Sequence, residues 1–352
     1  MLTAELGQNE SDAHRLQLLA RFGPSRDPAS AAKTLSALVE ASLDELARPA
    51  SGGTLARWRT LSQVASHDLS VAKLFESHTD ALAILQELGD CVGLPGGGTY
   101  GVWAAELPDA RVIVSRGTGT DITLTGRKAW CSGAAHLSHA LMTVWGADGT
   151  GPFLAKVHLQ QVGVRVSHEG WKAVGMAATA SVDVHFDQAA GTLVGDAGDY
   201  LRRPGFWHGG AGIAACWYGG SVRLAQSLRD AVRLPAGAGG SKDFRHAALG
   251  KVDLALTHTA TLLRSAAQWI DGHPREDASP WAIRVRMSAE DCATLVLQHT
   301  ARALGAAPFC KDEGFARMAA DLPVFIRQSG GERDACAVGE SVAAGGDRCW
   351  EL

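Results

Sequence analysis

Apolar and polar positions change period twice along this 352-residue chain. From Asp27 to Leu94 apolar side chains recur at helical spacing. Ala32, Leu35, Leu38, Val39 and Leu43 come first, with Leu46 beyond; Leu55 to Val64 follow, then Leu74, Phe75, Leu82, Ile84 and Leu85. The spacing predicts three helices, the third running from Val71 to Leu88 behind a Ser70 cap. Pro95-Gly96-Gly97-Gly98 ends that pattern, and Thr99 to Val194 alternates instead. Short runs at 111–114, 121–124, 141–145, 153–159, 162–166 and 182–186, parted by Gly, Asp and Ser turns, predict a small antiparallel sandwich or barrel. Helical spacing returns after Phe206, in runs 213–232, 244–270, 280–304 and 315–327. These predict an up-and-down four-helix bundle, broken once by the Gly-rich run Pro235 to Gly240. The expected organisation is a helical domain (1–98), a β domain (99–195) and a bundle (196–352), a mostly α chain with a central β domain.

One stretch, Leu124 to Val144, concentrates unusual residue types. A polar turn at Thr125-Gly126 leads to Trp130, Cys131 and Ser132; Gly133-Ala134-Ala135 and the apolar run Ala140 to Val144 follow. Two strands in tight approach fit this pattern, with the small residues leaving room for a flat group and Trp130 as a stacking wall. A hairpin with a core Trp fits it equally.

Composition narrows the classes. A net charge of −4 gives no reason to expect nucleic acid or an anionic membrane as partner. No apolar run of about 20 residues predicts a membrane span, and Met1 to Glu10 lacks a basic-then-apolar leader. Seven scattered cysteines without a C-x-x-C pair predict reduced thiols in a cytoplasm and no zinc site.

Gly126-Arg127-Lys128-Ala129-Trp130-Cys131-Ser132-Gly133-Ala134 resembles the Gly-x-Lys-x-Trp-Ile-Thr/Ser segment that covers the flavin ring in the acyl-CoA dehydrogenase family. Further partial matches follow in family order. Gly175 to Phe186 is similar to Gly-x-Arg-x-Ser-x-Thr-x-x-Val-x-Phe, keeping Thr179, Ser181 and the Val-x-Phe, with Ala177 in place of Arg. Phe206 to Ala215 is similar to Phe-x-x-x-Arg-x-x-(Val/Ile)-Ala-Ala, with Gly210 in place of Arg. Gly305-Ala306-Ala307-Pro308-Phe309 stands for Gly-Gly-x-Gly-(Phe/Tyr), and Asp321 for the Asp of an Arg-Asp pair. The order of helices, β domain and bundle also resembles that family.

The resemblance implies FAD, with Trp130 and Ser132 beside the isoalloxazine and Cys131, Ala105, Gly305 and Ala306 near it. It implies a substrate pocket at Phe206, Trp207, Gly209 and Gly210, and assembly as a homodimer or homotetramer. Its chemistry needs a Glu to remove an acyl thioester's α-proton, yet the two family positions fall on Ser329 and Gly209. Glu332 could substitute or be an exposed turn residue, and His208, titrating near neutrality, could serve or be incidental. Of the Thr-Glu-x-x-x-Gly-Ser-Asp element only Glu106 survives. The Arg-x-x-Phe-Gly element that reaches a neighbouring subunit's FAD pyrophosphate has no counterpart near Arg233 to Gly240, a run that reads as phosphate cradle or connector.

Three functions follow in order. The first is FAD-dependent oxidation of a CH–CH bond in an acyl-CoA or related carbonyl compound. The second is reduced-flavin monooxygenation with a reductase or electron-transfer partner, which needs no α-proton base. The third is a binding or scaffold protein that has lost flavin.

Overall fold

A computed structural model describes residues 2–89, 98–234, 242–345 and 350; the expected break at 95–97 and the Gly-rich run 235–240 lie outside them. Four helices open the chain: α1 (Leu2–Leu19), α2 (Pro28–Glu40), α3 (Thr54–His67) and α4 (Leu69–Glu87). Asp68, not Ser70, caps α4, accepting from the Val71 N–H at 2.8 Å. A carboxylate at an N-cap also meets the positive end of the helix dipole. Asp68 in addition accepts the Ser25 N–H at 2.7 Å, so one buried side chain ties two segments. Ser70 is buried inside the helix.

Seven strands follow: β1 (Tyr100–Trp103), β2 (Val112–Arg116), β3 (Asp121–Cys131), β4 (His139–Gly146), β5 (Phe153–His158), β6 (Val164–Val166) and β7 (Val182–Val194). They form one mixed sheet rather than two antiparallel ones. β4 pairs in parallel with β1 and β2 on one edge and antiparallel with β5 on the other, and β5–β7–β3–β2 completes the circuit. The sheet thus closes into a barrel, leaving few free edges. β3 and β4 do not pair with each other, so 124–144 is no hairpin. Gly133, at φ +73°, packs against Leu74 and Leu137, so the small residues make room for α4 rather than for a flat ligand.

The C-terminal helices are α5 (Asp199–Arg202), α6 (Gly205–Arg233), α7 (Lys242–Gly272), α8 (Ser279–Leu304), α9 (Ala307–Lys311), α10 (Glu313–Phe325) and α11 (Glu332–Ala344). α6, α7, α8 and α10 are the four expected. α6 starts eight residues before Ile213 because Glu87 of α4 accepts the Gly205 N–H at 3.0 Å while pairing with Arg203 at 2.7 Å. That carboxylate supplies a cap which sequence cannot show. Trp217 is fully buried in the bundle core.

A hydrogen bond fastens the barrel to the bundle. The turn at 175–181 docks on α10, where Asp321 accepts the Met176 N–H at 2.5 Å. A methyl at Gly175 would run into the Ala320 carbonyl oxygen, so the approach requires glycine. Burial, reinforced by nearby Asp68, pushes the Asp321 carboxyl up to about 6, despite the Met176 hydrogen bond. A folded pKa raised above the unfolded value near 3.9 stabilises the fold below that value and is lost as pH rises through 6. Relative to Asp321→Asn, the native protein should therefore lose about 2 kcal/mol between pH 4 and pH 7. Paired urea titrations across that range check it, and a pH-independent difference would refute it.

Candidate active site between barrel and bundle

A cavity of about 610 Å³ lies where α4, the β1 end, the β3 end and the start of α6 converge with α8 and residues 327–333. Its size falls within the range of small-molecule sites, about 300–1,000 Å³.

Trp130 forms one wall, and backbone geometry puts it there. β3 and β7 are in register at Lys128–Val184 and again at Cys131–Val182, so one extra residue of β3 forms a bulge. Within that bulge Trp130 takes φ +58°, a left-handed conformation rarely adopted by a bulky residue. Its indole swings off the barrel and stays 51% exposed, lining the cavity. Cys131, by contrast, points into the barrel core, its Sγ donating to the Lys128 carbonyl; burial raises its thiol well above the usual range.

Ser132 belongs to a hydroxyl relay whose direction can be derived. Thr179 Oγ1 donates to the Met176 carbonyl at 2.8 Å, which uses its one proton. Ser181 must then donate to Thr179 (2.9 Å), and Ser132 to Ser181 (2.7 Å). Ser132 Oγ is left with lone pairs only, an acceptor in the cavity wall. Trp103 Nε1 donates to the Ser132 carbonyl at 3.2 Å and holds the segment.

Phe206 and Trp207 line the opposite side in an edge-to-face arrangement (5.3 Å), with Phe206 also edge-on to Tyr200 (5.5 Å). Gly209, Gly210, Ser329 and Ala105 line it too. His208 points elsewhere: it is 2% exposed and lines a separate cavity of about 90 Å³ with Arg48, Glu87 and Arg203. Burial lowers its imidazole pKa, and its Nε2 has no hydrogen-bond partner among the described residues. Glu332 sits exposed at the start of α11, and Gly305 and Ala306 at the exposed end of α8; none of the three lines the cavity.

Sequence reading missed the contribution of α4. Lys73, Glu76, Ser77 and Asp80 all line the cavity. Their spacing makes one polar stripe on a helix that is otherwise apolar, a signal present in the sequence. Most charges at the site are already matched. Lys73 pairs with Glu76 at 3.3 Å, Arg203 with Glu87 at 2.7 Å and Arg327 with Glu290 at 2.8 Å, while Arg286 donates to the Gln328 carbonyl at 2.8 Å. Burial raises the Glu76 pKa and lowers that of Arg286.

Glu106, also in the wall, accepts from Lys128 Nζ at 2.9 Å, from Trp145 Nε1 at 2.8 Å and from Thr143 Oγ1. Burial alone would raise its pKa; these bonds outweigh that and lower it. Lys128 is 1% exposed and its own pKa is lowered by burial, so the pair depends on contact rather than on solvent. Lys128→Met should cost about 2 kcal/mol, the buried-pair penalty discounted for the solvent exposure of Glu106. Urea denaturation measures this, and an unchanged midpoint would refute it.

No protein-family profile and no curated protein sequence matches the chain. Solved structures do. FMN-bound TdsC from Paenibacillus sp. A11-2, a dibenzothiophene monooxygenase, superposes with a TM-score of 0.79 at 18% identity, over 95% of this chain and 97% of that one. FkbI, of methoxymalonyl extender unit biosynthesis for the Fk520 polyketide, gives 0.80 at 18%, over 96% and 100%. Butyryl-CoA dehydrogenase from Megasphaera elsdenii gives 0.76 at 14%, over 95% and 98%. At such identities the likeness is one of architecture: the chain has the acyl-CoA dehydrogenase fold, as its motifs led us to expect.

Proposed function

We propose that the chain is a flavin-dependent oxidoreductase whose isoalloxazine lies in the cavity against Trp130, and that it works from reduced flavin and oxygen. The observation that carries this reading is the hydroxyl relay. It leaves Ser132 Oγ as an acceptor, which suits the N–H that a reduced flavin presents and not the bare nitrogen of an oxidised one. The cavity fits the group in two further respects. An indole half open to solvent in a strained bulge offers a stacking face, and the exposed Arg333 of the cavity lining suits a phosphate.

Bound there, the flavin would supply two-electron chemistry towards oxygen or substrate. The protein's own part is to hold the ring, exclude water from one face and orient the substrate. Ser329 and Gly209, the two positions at which the resemblance puts an α-proton base, line the cavity and carry no carboxylate of their own. The charged wall from α4 also suits a polar or aromatic substrate better than a fatty acyl chain. The missing Arg-x-x-Phe-Gly element favours FMN over FAD, since it is the adenylate half that such an element would hold. A reductase is then the partner that renews the reduced cofactor, and a cytoplasmic homo-oligomer is the assembly we propose. Among the described residues no helix is long and apolar enough to cross a membrane.

Two experiments separate the chemistries. Anaerobic butyryl-CoA should leave the spectrum of the protein's bound oxidised flavin unchanged, whereas reduced FMN with oxygen should yield oxygenated indole. Bleaching by the thioester would overturn the oxygenase reading. Trp130→Ala should weaken FMN binding about tenfold in a fluorescence titration, the loss expected for one stacked aromatic; unchanged affinity would place the ring elsewhere.

A further inference from the structure

Asp80 stands apart from the other carboxylates of the cavity, Glu76 and Glu106, each of which is paired with a lysine. It projects from α4 into the wall, and among the described residues it makes no hydrogen bond or ion pair. Arg57, Glu76 and Tyr200 are near enough to interact with it electrostatically, and Arg203 shares both cavities with it. Those neighbours are otherwise engaged: Glu76 with Lys73, Arg203 with Glu87, and Arg57 with the Ala47 carbonyl at 3.4 Å.

Its position explains Gly209. A Cβ added at Gly209 would lie 2.5 Å from Asp80 Oδ1, and its three nearest atoms all belong to Asp80. Gly209 needs no positive φ, since it lies inside α6, and a glycine in a helix interior costs about 1 kcal/mol relative to alanine. The bare position therefore has a use: it leaves room for a carboxylate delivered from the neighbouring helix.

We propose that Asp80 is the substrate-facing carboxylate of this cavity, accepting a hydrogen bond from a hydroxyl or amino group of the substrate, with Gly209 kept bare to admit it. The substrate class that follows is a small molecule carrying such a donor next to an aromatic or apolar body, which Phe206, Trp207 and Trp130 would enclose. A carboxylate already surrounded by matched charges gains most from a directed donor, because hydrogen bonds to charged groups are the stronger kind. This inference rests on the flavin-cavity reading for its site, and its test does not depend on flavin turnover.

The probes are 2-phenylethylamine, 2-phenylethanol and n-propylbenzene, three ligands of similar shape, titrated against tryptophan fluorescence with and without FMN. The amine and the alcohol should each bind about tenfold more tightly than the hydrocarbon, the value of one hydrogen bond to a charged acceptor. Asp80→Ala should erase that preference, and Gly209→Ala, which crowds the carboxylate, should reduce it several-fold. Both should keep the native far-UV circular dichroism and urea midpoint, which shows that they fold. Equal binding of the three probes, no binding of any, or a preference that survives both substitutions would overturn the proposal. A preseved preference in native protein that takes up no flavin would leave Asp80's role standing and sink the flavin reading instead.

Discussion

The contact between Asp321 and the Met176 backbone holds the site in register. There the turn 175–181 is fastened to the bundle by a half-buried carboxylate. That turn begins the hydroxyl relay, since Met176 donates to Asp321 through its N–H and accepts from Thr179 through its carbonyl. From Thr179 the order passes to Ser181 and Ser132, and the Gly133 N–H adds a bond to the Thr179 carbonyl at 2.7 Å. The backbone of one residue, Met176, thus links the helix that carries Asp321 to the strand end that presents Trp130. Docking, proton direction and the face offered to a planar ring are coupled consequences of it.

On the far side of the cavity the constraint is different. α4 and α6 are clamped by Glu87, which pairs with Arg203 and caps Gly205, so the first turns of α6 cannot drift. α6 also approaches α3 closely at Gly219, where a side chain would strike the Ser62 carbonyl. The glycines of α6 are therefore of two kinds. Gly219 serves packing, whereas Gly209 faces a carboxylate and Gly210 faces open space. A rigid frame on both sides with an open slot between is what preorganised binding requires.

Much of the fold was legible because its signals are periodic. Helices α2, α3, α4, α6, α7, α8 and α10 and six of the seven strands follow from spacing alone, whereas the short α5 and α9, and α11, do not. Other exceptions are elements whose hydrogen bonds come from elsewhere. β1 has four residues, and its Tyr100 and Val102 N–H groups are received by His78 and Ser77 of α4, so local pattern could not reveal it. α1 carries mixed polar residues, with Arg15 buried against Asp12 and against Gln63 of α3. β3 runs on past Leu124 because Gly126, at φ +131° beside the Arg111 carbonyl, makes a bulge where its sequence suggests a turn. At the site, the residues named by motif were the legible ones: Trp130, Ser132, Phe206 and Trp207 do share a cavity. His208 was misleading because helical geometry turns it a third of a turn away from Trp207. Asp80 was invisible because its meaning depends on an empty position on another helix.

The central claim is that this cavity offers a planar ring one indole face and one hydroxyl acceptor. Its most direct test is a comparison of the dissociation constants of oxidised and reduced FMN, measured anaerobically on the native protein and on Ser132→Ala. The account predicts tighter binding of the reduced form, with the difference removed by the substitution. Tighter binding of the oxidised form, or a difference untouched in Ser132→Ala, would contradict it.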